Sequence, residues 1–314
     1  MEYWKFFVLL YSRNEEMKKL LLLMACVMVL SATGNAQRKR ALIVGISAYS
    51  TNGYRAWQDI HGAEDAGLLK PALEHKGFTV ATLLNEKATY EGILSALETF
   101  IRSTRRGDVA YLHFSCHGQP VEDGLKRGLP KDDEADCWDE SLVPIDAGRA
   151  YALRGYRGEK HLVDDELQTY VRRLRQALTS MGVLYVIVDA CHAGNMERDG
   201  FETVRGTNEG LAKDPQRKYK QTDVVKRSHV ERSPELAPTL FVEACESHQR
   251  NQEIRYQGRE YGALSFNVWQ MLNGLSAFPK DVETFKARLV ERVQDNIEQR
   301  NGLWPRTQNI VFED

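Results

Sequence analysis

Beyond residue 37, short apolar runs alternate with segments whose apolar residues recur at helical spacing. Continuous apolar runs bounded by turn residues indicate buried strands, and a 3.6-residue period indicates amphipathic helices. This pattern predicts five strands: Ala41–Ile46, Phe78–Leu84, Val109–Ser115, Val183–Val188 and Thr239–Ala244. It predicts five helices: 61–76, Tyr90–Arg102, Asp164–Ser180, Gly262–Leu272 and Val282–Gln299. The alternation predicts an α/β fold with a mostly parallel central sheet and helices on both faces.

The first 36 residues carry a different pattern. Met17-Lys18-Lys19 precedes eleven uninterrupted apolar residues, Leu20–Leu30, and small residues then lead to Ala36. A basic start, a short apolar stretch and a small-residue exit are typical of a secretory signal peptide. We therefore expect residues 1–16 to be an upstream extension and 37–314 the mature, exported chain, periplasmic or extracellular and without a membrane span. A retained anchor, a buried helix and a lipoprotein attached at Cys26 are alternatives.

Composition narrows the function classes. The chain has 314 residues, of which 42 are Lys or Arg and 44 are Asp or Glu, so its formal charge is −2. This balance argues against a strongly basic nucleic-acid binder. Five cysteines in a chain of this length exclude a disulfide-dense small scaffold.

One long stretch does not fit the alternation. Residues 197–235 are polar, rich in Lys and Arg, and without sustained apolar periodicity. Loops longer than about 15 residues are usually functional or disordered. We therefore expect a long, exposed basic loop here, and a smaller basic insertion over residues 147–160.

Two predicted strands end in residues that carry chemistry. The third strand is followed by Cys116-His117-Gly118, and the fourth by Asp189-Ala190-Cys191. Ligands of open parallel sheets bind beyond the carboxyl ends of the strands, so His117 and Cys191 can face each other there. An imidazole can activate a thiol as a nucleophile. The amides of Gly118 and Cys191 could donate to an oxyanion. This constellation is what acyl transfer from a peptide bond requires.

The motifs around these residues resemble a known family. Ser-Cys-His-Gly at 115–118 and Asp-Ala-Cys-His-Ala-Gly at 189–194 are similar to the two active-site motifs of the caspase-like cysteine peptidases. We identify the chain as a member of the metacaspase branch, of bacterial type. The resemblance implies a caspase-like three-layer sandwich over residues 37–314. Cys116 departs from the pattern, because the family usually has Gly there.

The resemblance also implies roles for individual residues. His117 corresponds to the general base and Cys191 to the nucleophile. Asp65 and Asp189 match acidic positions of the specificity pocket, and two carboxylates there would favour a peptide or protein substrate with Arg or Lys before the cut. No cofactor is required. Calcium is possible at a second acidic set, which consists of Asp139, Asp164 and Asp165.

Self-processing is a further expectation. If the pocket takes Arg or Lys, the basic loop is a natural substrate of its own enzyme, which would then be made as a zymogen. The candidate positions are Lys213, Arg217, Lys218, Lys220, Lys226 and Arg227. Two alternatives stay open, a clostripain- or gingipain-like peptidase and a catalytically silent module that binds a partner. Cys137 or Cys245 as the nucleophile is the weakest option.

Overall fold

The computed structural model describes residues 37–49, 57–126, 137–152, 155–191, 203–219, 230–246 and 248–313, together with Lys19. Apart from Lys19, 37 and 38, these residues belong to one compact unit, Lys39–Asp314. The predicted signal peptide therefore lies outside the described residues except at Lys19. Among the described residues, no helix combines the length and the apolar character that a membrane span needs.

The helices and strands follow one another much as the hydrophobic pattern predicts. In chain order they are β1 (Lys39–Gly45), α1 (Gly62–His75), β2 (Phe78–Leu84), α2 (Tyr90–Ser103), β3 (Val109–Ser115), β4 (His117–Glu122), β5 (Trp138–Val143), β6 (Leu162–Val163), α3 (Asp164–Leu178), β7 (Val183–Asp189), β8 (Thr239–Glu243), β9 (Glu253–Tyr256), β10 (Arg259–Gly262), α4 (Ala263–Gly274), α5 (Val282–Glu298) and β11 (Val311–Glu313).

A six-stranded sheet forms the centre of the unit, in the order β11-β8-β7-β3-β1-β2. All neighbours pair in parallel except β11, which runs antiparallel to β8 at one edge. Leu112 on β3 lies opposite Leu42 on β1 and Val186 on β7. The inner strands β1, β3 and β7 are largely buried because helices cover both faces of the sheet, as is usual for parallel sheets.

Two hydrophobic clusters lie on opposite faces of this sheet. Alternate residues of β1 divide between them, with Leu42 in one cluster and Ile43 in the other, because successive side chains of a strand point to opposite faces. The first cluster takes the apolar faces of α2 and α3, and the second takes those of α1, α4 and α5. The predicted three-layer α/β sandwich with a mostly parallel sheet is confirmed.

The sequence pattern did not reveal the smaller sheets. A three-stranded antiparallel sheet has the order β4-β5-β6, and a hairpin joins β9 to β10. One residue, Cys116, separates the end of β3 from the start of β4, so the chain bends there and enters a second sheet. This bend places His117 and Gly118 at the carboxyl edge of the central sheet, where β7 also ends.

Candidate active site

Two backbone amides, one just beyond the end of β3 and one just beyond the end of β7, donate to the same oxygen atom. Ser115 and Asp189 are register partners at the ends of these strands, and His117 and Cys191 each follow two residues later. The backbone amides of Gly118 and Cys191 both donate to the carbonyl oxygen of Arg205, at 3.3 and 2.9 Å. These are the two amides that the sequence indicates as oxyanion donors. In the structure they converge on one peptide carbonyl.

His117 is held so that one ring nitrogen can accept a proton. Its Nε2 lies 2.8 Å from the carbonyl oxygen of Gln58, which only accepts, so we place the ring proton on Nε2. The ring stacks on Trp57 at a centroid distance of 5.0 Å and tilts against Tyr49 at 4.8 Å. Burial lowers the pKa of His117 to about 4, so the imidazole is neutral at physiological pH.

The remaining ring nitrogen, Nδ1 of His117, is buried and has no hydrogen-bond partner among the described residues. A buried polar atom in that state is unusual in proteins. Together with the proton on Nε2, this makes Nδ1 the available base of the site.

Cys191 lies two residues beyond the end of β7 and is 1% exposed. Its thiol donates to the carbonyl oxygen of Gln249 at 2.9 Å, and its side chain packs against Cys245. The thiol is therefore not hydrogen-bonded to His117 Nδ1. A rotation of the Cys191 side chain away from Gln249 is needed before the thiol can transfer its proton to the imidazole.

A buried acidic pocket lies beside this pair and holds the side chain of Arg205. Arg205 Nη1 lies 2.7 Å from Asp65 Oδ2, and Arg205 Nη2 lies 2.8 Å from Glu253 Oε1. Ser115 Oγ lies 2.5 Å from Nη1. Asp65 and Arg205 are fully buried, and the Glu253 side chain is 1% exposed. Charge-assisted hydrogen bonds from a guanidinium to carboxylates of this kind are among the stronger ones in proteins.

Asp189 contributes its charge rather than a direct hydrogen bond. Its Oδ2 is 3.7 Å from Arg205 Nη1 and accepts from the amide and the hydroxyl of Ser265. Its Oδ1 accepts from Asn251 Nδ2 at 2.7 Å. These bonds fix the carboxylate at the back of the pocket. Asp65 and Asp189 thus both line the pocket, as the resemblance implies, but Asp65 makes the closer contact with the guanidinium.

The pKa of Asp65 shows what the pocket demands of its occupant. Burial raises this pKa to about 7; the positive charge of Arg205 lowers it, whereas the negative charge of Asp189 raises it. Burial also opposes the charge of Arg205, but the neighbouring carboxylates outweigh it and raise the Arg205 pKa above its usual range. The pocket therefore stabilises a cation, and a cation in turn helps to keep its carboxylates ionised.

Gly262 leaves the space that the guanidinium fills. A Cβ at this position would clash with Asp189 Oδ2 and with Arg205 Nη1. The Gly262 amide also donates to Asp65 Oδ1 at 3.0 Å. Because the φ angle of Gly262 is −63°, other residues could adopt its backbone conformation. The absence of a side chain here serves the pocket, not the backbone.

Glu253 is a pocket carboxylate that the sequence analysis missed. It begins the hairpin strand β9 and also accepts from the amide of His61 at 2.8 Å. His61 Nδ1 lies 2.5 Å from Glu253 Oε2, and this hydrogen bond raises the pKa of His61. The sequence did offer one signal for this region, the turn at Gln257-Gly258 that joins β9 to β10. A hairpin alone, however, does not tell which carboxylate faces the site.

The expectation of an exposed basic loop is wrong for part of residues 197–235. Arg205 and Thr207 are fully buried, and Leu211 is 1% exposed. This part of the loop is buried although it has no apolar face, because carboxylates bind its arginine and its backbone forms strand-like hydrogen bonds. Residues 197–202 and 220–229 lie outside the described residues.

The second acidic set lies elsewhere in the fold. Asp139 is buried on β5, and Asp164 and Asp165 begin α3. Their carboxylates do not form a group of ligand atoms within 4.8 Å of one another; among the described residues, His61, Glu253 and Glu260 do. Calcium binding at Asp139, Asp164 and Asp165 stays a prediction.

The remaining cysteines show no disulfide among the described residues. Cys137 is exposed, and Cys116 and Cys245 are buried. Burial raises the pKa of Cys116 to about 12, so this thiol stays protonated. A buried, protonated thiol of this kind is a poor nucleophile.

Comparison with known proteins gives a consistent picture. The family model described as Caspase domain matches residues 38–308. Metacaspase-2 of Arabidopsis thaliana is 31% identical over 171 residues, which are 51% of this chain and 35% of that protein. Metacaspase-1B of Aspergillus fumigatus is 35% identical over 109 residues, 34% of this chain and 22% of that protein. The chain thus spans about a third or less of these relatives.

Among solved structures, protein GSU0716 from Geobacter sulfurreducens has the same fold, with a TM-score of 0.55 and 21% sequence identity. The match covers 88% of this chain and 92% of that one.

Proposed function

The chain belongs to the caspase domain family, and from this premise we propose that it is a cysteine endopeptidase that cuts peptide bonds after Arg or Lys. The prediction of a caspase-like peptidase related to metacaspases is confirmed at the level of the family. The bacterial source and the preference for basic residues stay predictions, and the pocket described above is what supports the second.

One observation carries the proposal. An arginine side chain lies in a buried pocket formed by Asp65, Glu253 and Asp189, while its own carbonyl oxygen accepts from Gly118 and Cys191. A substrate residue before the cut must satisfy both conditions at once. Buried carboxylates without a cation are costly, so the same pocket selects against Asp or an apolar residue.

The reaction uses the two strand ends in sequence. The thiol of Cys191 rotates toward the bound carbonyl carbon and transfers its proton to Nδ1 of His117. The sulfur then forms a thioester as the carbon–nitrogen bond breaks, and His117 returns the proton to the leaving amine. Water hydrolyses the thioester and restores the thiol. The amides of Gly118 and Cys191 stabilise the oxyanion, and each such donor contributes about 3 kcal/mol.

The alternatives are less consistent with these observations. The family match favours a caspase domain over a clostripain- or gingipain-like peptidase. A silent binding module would need no imidazole with a proton-accepting Nδ1 beside a strand-end cysteine. The hydrogen bond with Cys191 and burial raise the pKa of the Cys245 thiol, which makes Cys245 a poor nucleophile.

Export to the periplasm or the medium is a separate part of the proposal. It is supported by the basic, apolar and small-residue pattern of 17–36. Determining the N-terminus of the protein recovered from cells tests it, with a start at Gln37 expected and retention of residues 17–36 contradicting it.

Fluorogenic peptides test the peptidase proposal. The purified protein should release fluorophore from peptides ending in Arg or Lys and not from matched peptides ending in Asp, and Cys191→Ser should abolish the release. Equal or better cleavage of the Asp peptide would refute the basic specificity. Undiminished activity of Cys191→Ser would refute the assignment of the nucleophile.

A further inference from the structure

The segment 203–211, which we name the plug segment, occupies the cleft between the ends of β3 and β7. We propose that the Arg205–Gly206 peptide bond is the site at which the enzyme cuts its own chain, and that the plug segment fills the cleft until then. This proposal rests on the proposed function, because it requires a peptidase that accepts Arg before the cut. It assigns self-processing to one bond, which lies outside the six candidates named from the sequence.

The backbone of the plug segment pairs as an extended peptide before Arg205. The Arg205 amide donates to the Asn251 carbonyl at 3.0 Å, and the Glu253 amide donates to the Thr203 carbonyl at 2.9 Å. Val204 and Gln252 form an antiparallel bridge. Added strands of this kind are a common way for proteins to hold peptides, since main-chain bonds give affinity and pockets give specificity.

The pairing continues on the other side of the bond. The Thr207 amide donates to the Gly118 carbonyl at 3.2 Å. Leu211 exchanges hydrogen bonds with β4, donating to Pro120 at 2.8 Å and accepting from Glu122 at 2.9 Å. The chain is therefore gripped before and after the Arg205 carbonyl, which lies at the two oxyanion donors.

Gly206 allows this close approach. It bridges to both Gly118 and Cys191, and a Cβ on it would clash with the backbone carbonyl of Cys191. Backbone atoms at both strand ends cannot yield as a flexible side chain can. A glycine directly after Arg205 is thus required for the bond to lie where the thiol can reach it.

The other basic residues of the loop that the structure describes lie outside the pocket. Arg217 forms an ion pair with Glu122 and lies over the Trp138 ring at 5.3 Å. Lys213 and Lys218 are exposed. Lys220, Lys226 and Arg227 lie outside the described residues. Arg205 is therefore the described basic residue of the loop whose side chain and carbonyl both meet the site.

The chemical step is the hydrolysis described above, applied within one chain. The Cys191 sulfur bonds to the Arg205 carbonyl carbon while the bond to the Gly206 nitrogen breaks, and the proton passes from the thiol through His117 to that nitrogen. One water then releases Arg205 as a carboxylate. The products are a new amino terminus at Gly206 and a new carboxyl terminus at Arg205, which can leave the pocket and admit a second substrate.

Mass spectrometry of the purified full chain tests the proposal. Peptide mapping should find termini at Arg205 and Gly206 in the wild type, and none in Cys191→Ala. Arg205→Gln should lower the rate of this cut on the order of 100-fold or more, because it leaves the buried carboxylates without their cation. Arg217→Gln is the matched control, an arginine of the same loop outside the pocket, and should be cut at the wild-type rate.

Two further measurements separate the possible failures. Arg205→Lys keeps the positive charge, so this chain should still be cut after position 205 even if Arg205→Gln does not fold. The rate constant should stay the same over a tenfold dilution, because the reaction is within one chain. A protein that hydrolyses Arg peptides but is cut elsewhere, or not at all, overturns this proposal and leaves the proposed function standing. A protein that hydrolyses neither overturns both.

Discussion

The guanidinium of Arg205 and the carboxylate of Asp65 form a buried ion pair, with 2.7 Å between Nη1 and Oδ2 and both side chains fully excluded from solvent. The partners are 140 residues apart in the chain. Removing one member of a buried, hydrogen-bonded charge pair leaves the other without compensation, which is more costly than the pair itself is worth. The pocket around Asp65 is therefore where substitutions should most clearly change specificity.

Asp65→Asn should weaken the use of Arg substrates. The substitution removes the charge that lies closest to the guanidinium, and such truncations in buried sites cost about 2–5 kcal/mol. We expect kcat/KM for an Arg peptide to fall at least about 30-fold. Asp295→Asn, which changes a half-exposed carboxylate on α5, is the control and should leave kcat/KM unchanged. If Asp65→Asn cleaved the Arg peptide as well as the wild type does, Asp65 would not belong to the substrate pocket.

Gly262→Ala should close the pocket without touching His117 or Cys191. The added methyl group would take the position of the guanidinium, against Asp189 Oδ2. We expect a large rise in KM for Arg peptides, measured by steady-state kinetics. Gly67→Ala on α1 is the matched control, because a Cβ there would enter open space, and thermal unfolding shows whether each variant folds. An unchanged KM in Gly262→Ala would mean that substrates do not enter this pocket.

The affinity for Arg peptides should increase as the pH rises above about 7. With Arg205 in the pocket the pKa of Asp65 is about 7, because burial raises it more than the guanidinium lowers it. An empty pocket leaves this pKa higher, so the binding of Arg releases a proton from Asp65 in the pH range above about 7. Below that range the carboxyl is protonated and the ion pair is lost. KM should be measured between about pH 5.5 and 8.5, a range that extends roughly 1.5 pH units on either side of this pKa. It should fall toward high pH.

Other ionisable groups face the same pocket, and a variant separates them. Asp189 and Glu253 face Arg205, and His61, whose pKa the hydrogen bond to Glu253 raises, faces Glu253. In Asp65→Asn the fall of KM near neutral pH should disappear. A pH dependence identical to that of the wild type would assign it to one of these other groups.

The sequence predicted the inner strands of the central sheet well because these strands are buried on both faces. The bounds of Val109–Ser115 agree with β3, which is buried along its whole length. The bounds of Phe78–Leu84 agree with the edge strand β2, although β2 is only partly buried. The second sheet was missed because β4, His117–Glu122, is too polar to stand out and follows β3 with one residue between. Its pairing with β5 depends on contacts that no local pattern records.

The candidate site was predictable only where a motif marks it. His117, Gly118 and Cys191 follow closely after the ends of two apolar strands, and parallel strands bring such ends together. Glu253 reaches the pocket from a short hairpin far along the chain, and its neighbours do not distinguish it from a surface carboxylate. Arg205 lies in a segment that has the composition of an exposed loop. Its burial follows from carboxylates that lie distant in sequence.

Covalent labelling tests the central claim most directly, because it reports the nucleophile and the pocket in one measurement. The purified protein is treated with a peptidyl acyloxymethyl ketone that carries Arg next to the reactive group, and with the matching Asp reagent. Peptide mapping should place the Arg reagent on the Cys191 sulfur, the Asp reagent nowhere, and no label on Cys191 after His117→Ala. Labelling of Cys137 or Cys245 instead, or preferential labelling by the Asp reagent, would contradict the account.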